Sequence, residues 1–249
     1  MIDHSNTIVV LTGRMASRGL PGKPLADLQG LPVIVHSWRS AVAAKLGPVL
    51  VAARENEIAE VIRREGGDAF VTSSAGHPLT GPASEALGLR DPAQRFEHVL
   101  VLPGDMPFLE PLYLQRCLAG LTNPPVDLAT LAAPLDEAAA RAEDEKVKII
   151  APLGDAREVA YARDFVRKLG PEHDPPFFAH VRIFAFRRQI LERLNGLAPS
   201  TREVARSLPL LRALDHDLRI AAVRVDAVPL AVNTPAALER ARQLLRMRQ

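Results

Sequence analysis

The residues best able to do chemistry in this 249-residue chain begin with Asp105, in Val99-Leu100-Val101-Leu102-Pro103-Gly104-Asp105-Met106-Pro107. An apolar run of strand type stops at Gly-Asp-x-Pro. That puts a carboxylate just past the C-terminal end of a strand, where open α/β sheets bind ligands. A single carboxylate there suits Mg²⁺, which takes one or two protein oxygens and fills the rest of its shell from water and substrate phosphates. A candidate cradle for phosphates is Gly13-Arg14-Met15-Ala16-Ser17-Arg18-Gly19-Leu20-Pro21-Gly22-Lys23-Pro24-Leu25. Backbone N–H groups of such a loop can enclose phosphate oxygens, and Arg14, Arg18 and Lys23 can neutralise them. The spacing is neither a Walker A loop nor the dinucleotide fingerprint, and a solvated basic loop is the plain alternative. Asn233, in Val232-Asn233-Thr234-Pro235, offers a second metal or phosphate contact. A residue of its type before proline is equally suited to cap a helix.

These groups need elements that bring them together. Residues 7–12 read as a buried strand, 32–46 as a helix and 48–53 as a second strand. Residues 55–65 form an amphipathic helix carrying Ile58, Val61 and Ile62, 68–72 a third strand, 97–102 a fourth, and 111–121 a helix. This alternation predicts a mostly parallel sheet with right-handed crossovers. The second half is less regular. Strands are expected over 127–132, 146–151, 177–186 and 218–225. Helices are expected in the Ala/Glu-rich segment between the first two of these, over 201–214 with a break at Pro209, and over 234–247. Residues 170–176 form a Pro- and charge-rich loop. No repeat or linker interrupts the chain, so one continuous domain over 1–249 is expected.

Composition removes other classes. With 31 basic against 29 acidic residues, the net charge of +2 gives little attraction for nucleic acid. Trp38 and the two tyrosines form no stacking platform for single strands. Arg240, Arg242, Arg246 and Arg248 read as the solvated face of a last helix. The single cysteine, Cys117, excludes an internal disulfide and reads as a buried thiol. Ile2-Asp3-His4-Ser5-Asn6 lacks the pattern of a signal peptide, and no apolar run approaches the ~20 residues of a membrane span. A soluble cytoplasmic protein without membrane insertion is the expectation. His36 reads as a core or cap histidine, and His77 and His98 have no zinc-like spacing. Lys146 and Lys148 fall on one expected strand.

Taken together, the motifs resemble the sugar-activating cytidylyltransferases of the CMP-Kdo synthetase type (3-deoxy-manno-octulosonate cytidylyltransferases). Arg14 to Leu25 follows that family's Arg-Tyr-x-Ser-x-Arg-Leu-Pro-Gly-Lys-Pro-Leu. Gly30 to His36 continues the likeness, and Gly104-Asp105-Met106-Pro107 matches its Gly-Asp-x-Pro. Asp127 to Ala132, Val147-Lys148 and the strand His180 to Arg187 resemble its later elements. The resemblance implies a Rossmann-like α/β fold of the nucleotidyltransferase type, with a smaller β-containing dimerisation insertion within 126–215 and a homodimer. It implies transfer of CMP from CTP to a 2-keto-3-deoxy sugar acid such as Kdo, with release of pyrophosphate, for lipopolysaccharide or capsule synthesis. The nucleotide would lie over Thr12, Gly13, Arg14, Ser17, Arg18, Lys23 and Gly104. Arg14, Lys23 and Asp105 would be catalytic, His180 and Glu203 would meet the sugar acid, and Asp105 with Asn233 would hold Mg²⁺.

The chain departs from the family on the ligand face. The second metal-binding aspartate is Asn233, followed by Ala236-Ala237 in place of an acidic pair. The glutamine before Gly-Asp is Pro103, and the Ser-Gly-Thr segment near the base is Leu79-Thr80-Gly81-Pro82-Ala83-Ser84. The glycine of the His-x-Gly strand is Arg182, and the second arginine of the first motif is Gly19. Arg206 and Pro209 stand at acidic positions of the Glu203 helix. These changes leave two other readings: a nucleotide-binding homologue impaired in turnover, and a relative of the molybdenum-cofactor nucleotidyltransferases. The latter share Gly-Asp-Met-Pro and Val-Asn-Thr-Pro but carry a Gly-Gly-x-Ser-x-Arg-Met-Gly loop that is absent here.

Overall fold

The computed structural model describes residues 4–17, 19–73, 76–122 and 125–247. The first half runs β1 (Thr7–Gly13), β2 (Asp27–Leu28), β3 (Leu31–Pro32), α1 (Val33–Ala43), β4 (Val49–Ala53), α2 (Asn56–Arg64), β5 (Asp68–Val71), α3 (Gly81–Arg90), β6 (His98–Pro103) and α4 (Pro111–Ala119). The second half runs β7 (Leu128–Leu135), α5 (Glu137–Ala142), β8 (Lys148–Ile150), β9 (Val159–Tyr161), β10 (Asp164–Val166), β11 (Phe177–Arg187), α6 (Arg188–Gly196), α7 (Thr201–Arg206), α8 (Leu210–Asp215), β12 (Ile220–Arg224) and α9 (Pro235–Arg246).

A ten-stranded sheet has the order β5-β4-β1-β6-β11-β7-β12-β9, with β8 joining β11 to β10. From β5 to β12 every strand points the same way except β11, which is antiparallel to both of its neighbours in that run. The sheet is therefore mostly parallel, as the alternation of elements predicts. Its central strands are buried on both faces, which is why they read as unbroken apolar runs. Val9 and Leu11 of β1 and Leu100 and Leu102 of β6 face one core, with Val35, Ile58 and Leu114 from α1, α2 and α4. Ile8, Val10, Val99 and Val101 face a second core, with Ala86, Leu191 and Leu211 from α3, α6 and α8.

The order reverses at β1. The next long strand, β4, lies on one side of it and β6 on the other, and such a switch point opens a crevice at the carboxyl ends of the two strands. Pairing of Thr12 with Pro103 brings the loop after β1 beside Gly104-Asp105.

The structure adds elements that the residue pattern does not announce. Helix α3 reads Gly-Pro-Ala-Ser-Glu-Ala-Leu-Gly-Leu-Arg, too rich in glycine and small residues for a clear stripe. Helix α6 follows β11 without a break, and β9 and β10 are only three residues each. The break at Pro209 is real: α7 ends at Ser207 in the left-handed conformation, φ 53°, before α8 begins. Among the described residues no helix is long and apolar enough to cross a membrane.

Candidate active site

Asp105 is fixed from two sides. The Gly104 N–H donates to the Thr12 carbonyl at 2.9 Å, and the Asp105 carbonyl accepts the Val232 N–H at 2.8 Å. A Cβ on Gly104 would stand 2.9 Å from the Ile34 side chain, so a residue without one lets α1 close against the end of β6. The carboxylate itself is only 2% exposed. Its Oδ2 receives Lys23 Nζ at 2.5 Å and has Arg182 Nη2 at 3.6 Å. Its Oδ1 is buried with no hydrogen-bond partner among the described residues.

The loop after β1 is held so that Lys23 reaches that carboxylate. The Gly13 carbonyl accepts the Arg54 N–H at 2.8 Å, the Gly22 N–H donates to Met15 at 2.9 Å, and the Met15 N–H donates to the Glu55 carboxylate at 2.9 Å. Glu55 thus anchors the loop, and nothing in the sequence beyond its place before α2 marks it. Lys23 then opens a 3₁₀ turn over Lys23–Leu25, with Pro24 buried behind it. Gly19 passes directly under Asn233, where a Cβ would lie 2.3 Å from the Asn233 carbonyl oxygen. That contact leaves no room for a side chain at the position where the resemblance implies arginine. Arg14 is exposed and Ser17 half-buried, and Arg14 makes no hydrogen bond to a described residue. Arg18 lies outside the described residues.

The third wall is β11. Its pairing with β7 slips between Val181 and Phe184, a bulge of the kind that re-aims side chains beside active sites. Arg182 sits in that bulge. The Thr130 hydroxyl donates to the bulge carbonyl of Ile183 at 2.9 Å and accepts from His180 Nε2 at 2.9 Å, which sets the His180 tautomer. His180 also packs edge-on against Phe165, with ring centroids 5.0 Å apart. Burial, with a smaller contribution from the Arg182 charge, pushes its pKa down to about 3, so the ring is neutral at physiological pH.

Other candidates stand elsewhere. Asn233 is not the cap of α9. Thr234 is, its side chain accepting the Ala237 N–H at 3.1 Å. That leaves the exposed Asn233 amide with no hydrogen bond to a described residue. Glu203 is built into the scaffold: it completes a capping box with Ser200, and its two oxygens receive Arg212 Nε and Nη2 at 2.6 and 2.8 Å. Arg206 bonds Asp164 at 2.8 Å. Lys148 is fully buried, with its ammonium on the carbonyls of Glu143 and Arg167. His36, half-buried, bonds the Leu28 carbonyl at 2.9 Å, a structural contact. Cys117 is buried, which raises its thiol pKa far above the usual value. Thr80, Gly81 and Ala83, in the segment that departs from the family's Ser-Gly-Thr motif, are buried packing residues.

A family model described as Cytidylyltransferase matches residues 8–221. A 3-deoxy-manno-octulosonate cytidylyltransferase of Paramagnetospirillum magneticum is 39% identical over 239 residues, which are 96% of this chain and 97% of that protein. One from Rhodopseudomonas palustris is 42% identical over 97% of this chain and 98% of its own length. Among solved structures, a CMP:2-keto-3-deoxy-manno-octonic acid synthetase complexed with CTP superposes with a TM-score of 0.86 at 29% identity, covering 98% of this chain and all of that one. A 4-diphosphocytidyl-2C-methyl-D-erythritol synthase from Anaerococcus prevotii, at 14% identity and TM-score 0.62, shares the fold.

Proposed function

The chain belongs to the cytidylyltransferase family and is a nucleotidyltransferase enzyme, and from that premise we propose that it transfers CMP from CTP to the 2-hydroxyl of Kdo in the cytoplasm, releasing pyrophosphate. The observation that carries this reading is the meeting of Lys23 and Asp105, 2.5 Å apart at the switch point between β1 and β6. A cation for phosphates and a carboxylate for a metal ion are thereby delivered to one buried spot by two separate strand ends.

Asp105 Oδ1, buried and without a partner among the described residues, tests whether Mg²⁺ fits. An unpaired buried carboxylate oxygen costs about 1–3 kcal/mol, and a ligated cation removes that cost. Among the described residues no cluster of three or more His, Cys, Asp or Glu side chains could hold a metal. One carboxylate and one amide nevertheless suit Mg²⁺, which draws its remaining ligands from phosphates and water. Asp105 and Asn233 are therefore the oxygens that would hold it. Bound there, the ion would neutralise triphosphate charge as pyrophosphate leaves. Arg14 and Lys23 bind and polarise the triphosphate, and Gly104 holds the turn that presents Asp105 to it. His180, neutral and locked by Thr130, serves the acceptor side. No covalent intermediate is needed, because charge neutralisation and in-line positioning carry the reaction. The active form is a homodimer joined through elements within 126–215, a reading supported by exposed apolar side chains there, Val204 and Tyr161.

Pyrophosphate release with CTP, Mg²⁺ and Kdo is the expected result, with Asp105→Ala lower by at least ~10²-fold. Stabilisation by CTP without release would mean binding without turnover. Release with GTP and molybdopterin but not Kdo would overturn the acceptor.

A further inference from the structure

Arg182 is the feature of this site that the reaction, as described, leaves unused. Three observations set it apart. It stands in the one slip of register between β11 and β7, so its direction is imposed by a bulge and not by the regular alternation of the strand. It is half-exposed, at 52%, while the carboxylate it faces is 2% exposed. At 3.6 Å its Nη2 is too far from Asp105 Oδ2 to be hydrogen-bonded. Its guanidinium donors bond no described residue, whereas the buried Arg188 and Arg212 both spend theirs on carboxylates. Lys23 already supplies Asp105 Oδ2 with a full-strength partner. Arg182 is therefore held by charge alone, with an unspent planar fork of donors, the geometry that recognises a carboxylate or phosphate in bidentate fashion.

The sheet order says which anion it meets. β6 lies between β1 and β11, so Arg182 reaches Asp105 Oδ2 from the strand on the side opposite the one that leads into the phosphate loop, while Lys23 of that loop meets the same oxygen. An in-line displacement at the α-phosphorus puts leaving pyrophosphate and attacking oxygen on opposite sides. With the pyrophosphate on the β1 side, the attacking hydroxyl arrives from β11. In a 2-keto-3-deoxy sugar acid the carboxylate is bonded to the carbon that bears that hydroxyl. We infer that Arg182 is a specificity residue that clamps the acceptor's carboxylate and so orients the neighbouring hydroxyl toward the α-phosphate. This deepens the proposed function and rests on it.

Charge-assisted hydrogen bonds of this kind are worth about 10- to 100-fold in binding. At saturating Mg²⁺, Arg182→Ala raises KM for Kdo by about that factor and leaves KM for CTP within about twofold; Arg182→Lys, which keeps the charge without the fork, falls between. The second measurement compares Kdo with its carboxamide. The unaltered enzyme prefers the acid by about 10- to 100-fold in kcat/KM, and Arg182→Ala loses most of that preference. The unmoved CTP constant shows that the variant is folded. A rise confined to KM for CTP assigns Arg182 to the triphosphate and overturns the clamp. So does an unchanged KM for Kdo, which reduces Arg182 to a neighbour of Asp105. If the unaltered protein transfers no CMP to Kdo, the function itself fails and the clamp with it; transfer that Arg182→Ala leaves unaffected sinks the clamp alone.

Discussion

At the scale of single residues, the site has exchanged negative charge for positive. Where the family resemblance implies a second aspartate there is Asn233, and where it implies glycine there is Arg182, 3.6 Å from Asp105. Asp105 is left as a lone carboxylate facing two cations, and Mg²⁺ must be held against them. Restoring the acid should therefore strengthen the metal site: Asn233→Asp is expected to lower the Mg²⁺ concentration for half-maximal pyrophosphate release on the order of tenfold, because affinity follows ligand charge. A Mg²⁺ dependence that stays the same or weakens would mean that residue 233 does not reach the ion. The residues of this site were unequally legible. Asp105 and Lys23 announce themselves, because a carboxylate after an apolar run and a lysine in a glycine-rich loop are unusual local patterns. Arg182 is visible only as a departure, and its partner across the sheet could not be read from its own neighbourhood. Glu55 is silent, since its work is a single bond to the Met15 backbone.

At the scale of elements, the strands carrying the site declare themselves because both faces of β1 and β6 are buried, so Ile8 to Leu11 and Val99 to Leu102 are unbroken apolar runs. The reversed strand β11 does not, because direction is a property of pairing and leaves no mark on composition. Helix starts are intermediate. Asn233 and Thr234 are both good cap residues, adjacent, before a proline, and only geometry separates them. With Thr234 accepting from Ala237, Thr234→Ala should cost about 1 kcal/mol of stability in urea denaturation. Asn233→Ala should stay within about 0.5 kcal/mol. The reverse ranking would return Asn233 to the role of a cap and take it out of the active site. The distinction bears on function because Val232, immediately before Asn233, is the residue whose N–H holds the Asp105 main chain at 2.8 Å.

At the scale of the whole molecule, the layer of helices α3, α6 and α8 over the second core is tied together by ionisable groups, and this sets how stability responds to acid. His77, fully buried, bonds the Pro209 carbonyl through Nε2 at 3.2 Å, while its Nδ1 accepts the Thr80 N–H at 3.3 Å and its own N–H donates to Asn195 of α6 at 2.9 Å. The acceptor role requires a neutral ring, and burial pushes its pKa down to about 4. His180 is likewise depressed, to about 3. For both groups the unfolded chain binds a proton below about pH 6.5 while the folded chain does not. Unfolding therefore takes up protons, and stability falls as pH drops from about 6.5 toward 4. His77 alone is worth up to about 3 kcal/mol over that interval. Asp91, at the end of α3, acts later. Burial alone would raise its pKa, but the N–H groups of Phe96 and Arg95 and the Arg188 guanidinium at 2.6 Å outweigh that and hold it below the usual carboxylate range. Its contribution is present above about pH 4 and is lost as pH falls through its depressed folded value. Urea denaturation from pH 8 to pH 4 should give a plateau above about pH 7 and a decline beginning near 6.5, well before any carboxylate titrates. His77→Gln should lower the plateau and flatten the decline. Stability that holds level from pH 7 to pH 4.5 would show that these histidines are protonated as readily in the folded chain as in the unfolded one, and that the α3–α6–α8 layer is not held by a neutral His77.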